Sequence, residues 1–382
     1  MLYTRITSRP RRSFFLFGVR GVGKSTWARS ELPDAARFDL LDEALFHELI
    51  GRPGRFAEMV AGIPDQKWIV VDEVQRAPAL LNEVHRLIEE RGRRFALLGS
   101  SARKLRAAGT NLLAGRAGRK EMFPLVPEEM GQDFDLERVL RLGSLPLVLA
   151  SEDPARTLRD YVALYLREEI RAEAAVRNLG GFVRFLPIAA LLHGQTLSVS
   201  GIARDAGVAR STVAGYLEVL EDTLLASRLG AFEAKLRVRE RRRPKLYWTD
   251  PGLVRTAKGL HGPLAPEERG ALFEGWVLSV LRAYAEERTV FDDIHYWSPA
   301  ESRVEVDFLL RRECEFLAIE AKAAERYQTG MLRGLRAVDA LPGLARRLLV
   351  YGGSRSFRTD DGIEIWPAIR FAEELAAGTL WP

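Results

Sequence analysis

Gly18-Val19-Arg20-Gly21-Val22-Gly23-Lys24-Ser25 fixes glycine, glycine, lysine and serine at the spacing G-x-x-x-x-G-K-S. The run SFFLF (13–17) precedes it and the helical stretch STWARSEL (25–32) follows, so the segment reads as strand, tight turn, helix. Few folds accommodate such a turn. It needs left-handed backbone that glycine adopts without a Cβ penalty, and it needs a helix N-terminus whose free N–H groups face an anion. The turn backbone from Gly18 through Arg20, Gly21, Val22 and Gly23, with Lys24, Ser25 and Thr26, is therefore a phosphate cradle. Lys24 places an ammonium at the β and γ phosphates, and Ser25 offers a hydroxyl to Mg²⁺. The implied cofactors are ATP and Mg²⁺.

Further apolar runs follow: ARFDLLD (36–42), KWIVVDEV (67–74), RFALLGSS (94–101) and KEMFPLV (120–126). Continuous apolar strands alternating with helices such as ALLNEVHRLIEERG (79–92) predict an α/β domain with a parallel sheet covered on both faces. Asp72-Glu73 ends one of these strands. An acid pair there is common by itself. Paired with the phosphate turn, Asp72 reads as the residue on the Mg²⁺ side and Glu73 as the base that polarises water. Ser100 or Ser101, at the end of the next strand, is placed to sense the γ-phosphate, Ser101 being preferred. Arg103, Arg116 and Arg119 are candidates for stabilising charge on the transferring phosphate; Arg116 is the preferred one.

A chain of 382 residues is too long for one compact domain. The pattern divides it at 1–150, 151–263 and 264–382. Residues 151–230 read as helices without a convincing strand. Within them, LSVSGIARDAGVARSTVAGYLEVLEDTLL holds two short helices around Ala206-Gly207-Val208, the helix-turn-helix signature. Arg210, Ser211 and Thr212 open the second helix, where base or phosphate contacts are made. Lys235, Arg237, Arg239, Arg241, Arg242, Arg243 and Lys245 follow, opposed by Glu240 alone, as a basic hairpin or wing. The bland alternative is a structural helical domain with a solvated charged loop. The net charge of +5 permits DNA binding without requiring it.

The last part carries a helix, PEERGALFEGWVLSVLRAYAEE, then VFDDIHYWS, RVEVDFLLRR and EFLAIEAKA as strands, another helix and RRLLVYGG. Asp307 and Glu320 interrupt apolar runs, where an acid needs a partner or a metal. Period-two alternation puts Glu320 and Lys322 on one face. Two carboxylates and an ammonium suit metal-assisted phosphodiester hydrolysis, with Asp307, Glu320 and Glu274 as metal ligands and Lys322 steadying the water. Surface salt bridges are the alternative. The single Cys314 rules out a disulfide within the chain and fits a reducing, cytoplasmic setting. No apolar run approaches the length of a membrane span, and the first residues lack a secretory pattern.

Taken together, GVRGVGKST, IVVDEVQRAP, LLGSSARKLR with LAGRAGRKEMFPL, RLGSLPLVLA, and the set Glu274, Asp307, Glu320 and Lys322 resemble one family. It comprises prokaryotic AAA-type ATPases fused to a C-terminal domain of unknown function related to PD-(D/E)xK nucleases. The resemblance covers essentially the whole chain. It implies an ASCE-type nucleotide site, a winged-helix middle and a restriction-endonuclease-like end. Gly143-Ser144-Leu145-Pro146 departs from it, since the family usually shows two glycines there. The expected activity is ATP hydrolysis coupled to DNA processing, on branched or forked DNA, with a homo-oligomer sharing arginines between subunits. The alternatives are a DNA-binding ATPase with an inactive nuclease fold, and a regulatory or defence NTPase switch with a protein partner.

Overall fold

A computed structural model describes residues 3–101, 113, 115–165, 179–233, 242–299 and 304–381. Five parallel strands form the first sheet: β1 (Phe14–Phe17), β2 (Ala36–Asp39), β3 (Trp68–Asp72), β4 (Arg94–Gly99) and β5 (Gly118–Glu121). Their order is β2-β3-β4-β1-β5. Alternation along each strand decides which face a side chain serves. Phe14, Leu16, Val70, Ala96 and Leu98 pack into a core shared with the rest of the chain. Phe15, Phe17, Ile69, Val71, Phe95 and Leu97 pack into a second core. That core lies under the helices Glu43–Gly51, Gly54–Ala61 and Leu80–Arg91, which contribute Leu49, Phe56, Val60, Leu80, Leu81, Val84 and Leu87. Each fully buried Phe or Leu stabilises the fold by about 1.5–3 kcal/mol, which explains why these strands read as unbroken apolar runs.

Two strand expectations shift. The run expected over 120–126 pairs two residues earlier, over Gly118–Glu121. Met122 N still donates to Phe17 O at 2.7 Å, and Pro124, which has no N–H, cannot extend the ladder. In the middle part, strands occur at Gln195–Thr196 and Ala226–Leu229, where only helices were expected, while Lys245–Trp248 falls at the end of the expected basic hairpin. The helix Leu179–Leu191 leads to β6 (Gln195–Thr196). The helices Val199–Ala206 and Arg210–Asp222 follow, then β7 (Ala226–Leu229) and β8 (Lys245–Trp248), antiparallel in the order β6-β8-β7. A further helix, Pro251–Ala257, follows; Asp250 caps it, accepting from Leu253 N at 3.2 Å.

The last part opens with the helix Pro266–Arg288. Its mixed sheet holds β9 (Asp293–Trp297), β10 (Val306–Arg312), β11 (Glu315–Lys322), β12 (Leu344–Tyr351), β13 (Phe357–Arg358) and β14 (Glu364–Pro367), in the order β13-β14-β12-β11-β10-β9. β13, β14 and the closing helix Ala368–Ala377 were not expected. The three parts share one core. It runs from Phe14 through Phe185 and Leu246 to Trp276, Leu317 and Trp381. Buried polar ties cross it: Lys120 pairs with Glu287 at 2.7 Å, and Arg255 pairs with Glu268 at 2.8 Å while donating to Arg141 O at 3.1 Å.

Gly143 shows why the loop before Pro146 needs a glycine. Its φ is 77° and its ψ is −173°, a region that is essentially glycine's alone. A Cβ there would stand 1.9 Å from Asp250 Oδ1. Asp250 in turn accepts from Ser144 N at 2.8 Å, and Ser144 needs no left-handed backbone, so serine serves at the second position. Gly143→Ala is expected to cost about 3 kcal/mol or more from backbone strain and the clash together, read as a lowered urea midpoint. Gly270→Ala, in a helix with open space around the added methyl, is the control and gains up to about 1 kcal/mol.

Candidate nucleotide and carboxylate sites

β1 delivers the chain to the turn at the C-terminal edge of the parallel sheet. A Cβ on Gly18 would meet Met122 O at 2.7 Å and Val22 Cγ1 at 2.9 Å, so glycine lets the turn lie against the strand-end crossing. Gly21 and Gly23 have φ of 76° and 98°, and Gly23 caps the helix Lys24–Glu31. Lys24 folds back over the turn and is buried, donating from Nζ to Gly18 O at 2.7 Å and Val19 O at 3.3 Å. Ser25 and Thr26 follow on the first turn of that helix, and Val22 is buried beneath it.

Two strands away, β3 ends on Asp72, whose Oδ1 accepts from Glu73 N at 3.0 Å. Glu73 is left-handed, with φ of 56° and ψ of 40°, a conformation costing a non-glycine residue about 1–2 kcal/mol. Such strain is kept where it positions a side chain. Gln75, which sequence reasoning missed, explains the position. Its Nε2 donates to Glu73 Oε2 and, at 3.0 Å, to Ser100 Oγ. Gly99 makes room, since a Cβ there would lie 2.7 Å from Gln75 Oε1. The only signal for Gln75 was a polar residue two places after Glu73. Ser101, the preferred sensor, is fully buried beside Ser100.

A cleft of about 470 Å³ covers this turn, lined by Arg20, Gly21, Gly23, Lys24, Ser25, Thr26 and Glu73. Tyr3, Arg5, Pro146 and Leu147 are among the other residues of its walls and were not foreseen. Arg5 reaches across from the first residues, donating to Val22 O at 2.8 Å and pairing with Glu129 at 2.9 Å. Leu147 N donates to Gly21 O at 3.2 Å, and the Tyr161 hydroxyl to Arg20 O at 3.1 Å.

The donor set fits Mg²⁺–ATP. Glycines leave room for phosphate oxygens, a buried ammonium sits at the turn, and a hydroxyl with a carboxylate suits a hard cation.

Arg116 does not join this set. It precedes β5, and the register Phe14↔Gly118 puts it at the opposite end of the sheet from the turn, where it pairs with Glu89 at 2.7 Å. Arg119 pairs with Glu121 at 2.5 Å. Arg103 lies outside the described residues.

The C-terminal residues do converge. Glu274 comes from the long helix, Glu305 and Asp307 from β10 and its approach, and Glu320 and Lys322 from β11. Asp307 Oδ2 accepts from Ala321 N at 2.9 Å, with Lys322 Nζ at 3.5 Å. Lys322 Nζ stands 2.5 Å from Glu320 Oε1. Glu274, Glu305 and Asp307 offer carboxylate oxygens within 4.8 Å of one another. Burial first, then the neighbouring Asp307, pushes the Glu274 carboxyl up to about 7 against the opposing Lys245 ammonium. Burial and Asp307 likewise raise Glu320 well above the usual carboxylate range.

Lys245 corrects the sequence reading. It is not part of a solvated basic wing: it is buried, and its Nζ lies 3.1 Å from Glu274, 2.6 Å from Glu305 and 3.9 Å from Asp307. Tyr247, two residues along the same face of β8, donates its hydroxyl to Glu274. The carboxylates have the chemistry for a divalent metal, but an ammonium already stands among them. As arranged, the residues do not fit a metal there as well.

Of the residues expected on DNA, Arg210 and Ser211 are exposed and Thr212 is half-buried at the start of its helix. Arg242 is exposed and pairs with Glu233 at 3.1 Å; Arg243 is exposed. Arg237, Arg239 and Arg241 lie outside the described residues.

Residues 10–131 match the family described as an AAA domain. The comparison and the turn geometry support an AAA-type ATPase domain. Residues 133–264 and 269–371 match two domains of unknown function, DUF8612 and DUF4143, neither of which assigns a nuclease. Over 309 residues the chain is 29% identical to the uncharacterised proteins Rv2008c of Mycobacterium tuberculosis and Mb2031c of Mycobacterium bovis, covering 78% of this chain and 68% of each relative. Among solved structures, the Aeropyrum pernix ORC1 protein in complex with DNA is 14% identical with a TM-score of 0.27, over 66% of this chain and 87% of that one. VC1899 from Vibrio cholerae is 15% identical with a TM-score of 0.23, over 96% of both chains. Can2 from Sulfobacillus thermosulfidooxidans, in complex with cyclic tetra-adenylate, is 12% identical with a TM-score of 0.21, also over 96% of both. Likeness at this level places none of this chain's residues. Among the described residues no helix is long and apolar enough to cross a membrane.

Gln75→Leu removes both amide bonds while filling the same buried space. It is expected to leave ATP affinity within about threefold and to lower kcat roughly 10²-fold, the usual worth of an oriented base. Nucleotide titration beside steady-state hydrolysis separates the two. An unchanged kcat would remove Gln75 from the site.

Proposed function

We propose that this protein is a Mg²⁺-dependent ATPase switch that acts on DNA, with three working parts at 1–150, 151–263 and 264–382. The observation that carries the reading is the turn itself: Lys24 buried on the glycine cradle, facing strand ends that bring Asp72, Glu73 and Ser100 to one edge of the sheet. Bound Mg²⁺–ATP supplies the electrophilic γ-phosphorus. The chain's own residues do the rest. Lys24 neutralises charge on the phosphates, and Ser25 and Asp72 hold the metal side. Glu73, fixed by Gln75, orients a water and takes its proton, while Ser100 and Ser101 sit where the γ-phosphate is sensed. Within one chain no described arginine of the set completes the cradle's far side. Arg116 and Arg119 act, in this reading, on a neighbour in a homo-oligomer.

DNA is the proposed partner because of the middle part. Two helices meet at Gly207, and an antiparallel pair follows, consistent with a winged helix. Arg210, Ser211 and Thr212 open the second helix, and the sequence run with Arg237, Arg239, Arg241, Arg242 and Arg243 supplies phosphate-directed charge. Glu274, Asp307, Glu320 and Lys322 make the C-terminal part nuclease-like, with branched or forked DNA as the proposed substrate. The Lys245 ammonium favours a second reading, in which the described arrangement binds DNA without cutting it. A single exposed cysteine fits a cytoplasmic setting.

The test is ATP hydrolysis with and without single-stranded, duplex and four-way DNA. Stimulation by one of them is expected, with Lys24→Ala lowering the rate by roughly 10²-fold or more. Glu73→Gln should bind ATP and fail to hydrolyse it. Neutralising Arg237, Arg239, Arg241, Arg242 and Arg243 together should weaken DNA binding and flatten its salt dependence, by a slope of about 0.9 for each phosphate left without its arginine. If neither DNA affinity nor its salt slope moves, the partner is a protein.

A further inference from the structure

Lys245 is on β8, paired with Leu229 of β7, and so belongs to the middle part of the chain. Its side chain nevertheless ends inside the C-terminal carboxylate cluster, with 3% of it exposed. Several contacts fix it there. The Tyr247 hydroxyl donates to the same Glu274 oxygen that Lys245 approaches. Tyr296 of β9 packs its ring 5.3 Å from Nζ and donates its hydroxyl to Arg243 O, holding the chain just before β8. Nζ bonds to Glu274 and Glu305 and turns towards Asp307 at 3.9 Å. It therefore stands where a cation bound by all three carboxylates would stand.

A divalent ion needs carboxylate oxygens at about 2.0–2.6 Å. An ammonium among the same oxygens excludes it by volume and by charge. We infer that Glu274, Glu305 and Asp307 form a cation site whose resident is the chain's own Lys245, and that a hard divalent cation enters only when Lys245 is withdrawn or replaced. A second observation points to a missing ligand beside this cluster. Glu320 is 6% exposed, and its Oε2 accepts no hydrogen bond among the described residues. The acceptor lies beside Gly334, 3.2 Å from where a Cβ on that residue would stand, and a metal-bound water would satisfy it.

The inference deepens the nuclease-like reading of the C-terminal part and says why that site is closed. The hairpin that carries Lys245 also carries Arg242 and Arg243. A polyanion pulling on those arginines pulls on the strand that plugs the site. The step is ion exchange: an ammonium leaves, a divalent ion takes its oxygens, and no covalent bond changes.

The experiment is Mn²⁺ titration of the full chain, free of nucleotide and stripped with EDTA, with free Mn²⁺ read by electron paramagnetic resonance. The wild type is expected to show no site tighter than about millimolar. Lys245→Gln should gain one Mn²⁺ site about 100-fold tighter, lost again in Lys245→Gln/Asp307→Asn. Lys245→Arg, which keeps the charge, should gain none. A tight wild-type site abolished by Asp307→Asn overturns the inference, and needs no Lys245 variant to be folded. So does a folded Lys245→Gln protein, judged by circular dichroism, that gains no site. The readout is metal binding alone, so loss of the ATPase or DNA reading would leave it standing.

Discussion

A turn that points its N–H groups at a phosphate points its carbonyls away from it, and buried carbonyls must be satisfied. Most of this architecture follows from that constraint. Gly18 O and Val19 O are taken by Lys24, Val22 O by Arg5, Gly21 O by Leu147 N, and Arg20 O by Tyr161. The donors come from the first residues, from the turn's own helix and from the helical part beyond the sheet. The phosphate turn is thus held by segments that are distant in sequence and close only when the whole chain has folded. Leu147 and Tyr161 also sit where any movement of the turn on nucleotide binding must be felt.

Asp250 extends the same logic. It caps the helix Pro251–Ala257 and accepts from Ser144 N, while Gly143 allows the close approach. Burial pushes its carboxyl up to about 6, against backbone donors that favour the ionised form. The loop that reaches Gly21 through Leu147 is anchored there.

Much of this was legible along the chain because the causes are local. FFLF reads as a buried strand because all four side chains are buried, two on each face. The phosphate turn was legible from glycine, lysine and serine spacing, since backbone geometry demands those residues there. The convergence of Asp307, Glu320 and Lys322 followed from period-two alternation and neighbouring strands. What stayed hidden depends on partners far away in sequence. Lys245 looked like one more cation in a basic run, because local charge does not tell which face of a strand meets a cluster 29 and 60 residues later. Arg116 was placed at the nucleotide by motif position, and only the register of β5 against β1 shows it at the other end of the sheet. β14 has four residues, too few to display a period.

The two sites are joined by one short stretch of backbone. Lys245 occupies the carboxylate cluster, Tyr247 bonds to Glu274, and Asp250 holds the loop that rests on Gly21. Lys245 in one site and Asp250 at the anchor of the other are five positions apart. Proximity alone does not make coupling: energy passes between sites only through an element with two arrangements that each site biases differently. In the exchange proposed above, β8 would be that element. Its ammonium has a binding place inside the cluster, and the proposed exchange supplies the withdrawn one. In the proposed function, a phosphate at the turn would act on the loop that Asp250 anchors, and a polyanion would act on the arginines before β8. Both would converge on the strand that carries Lys245 into the carboxylate cluster.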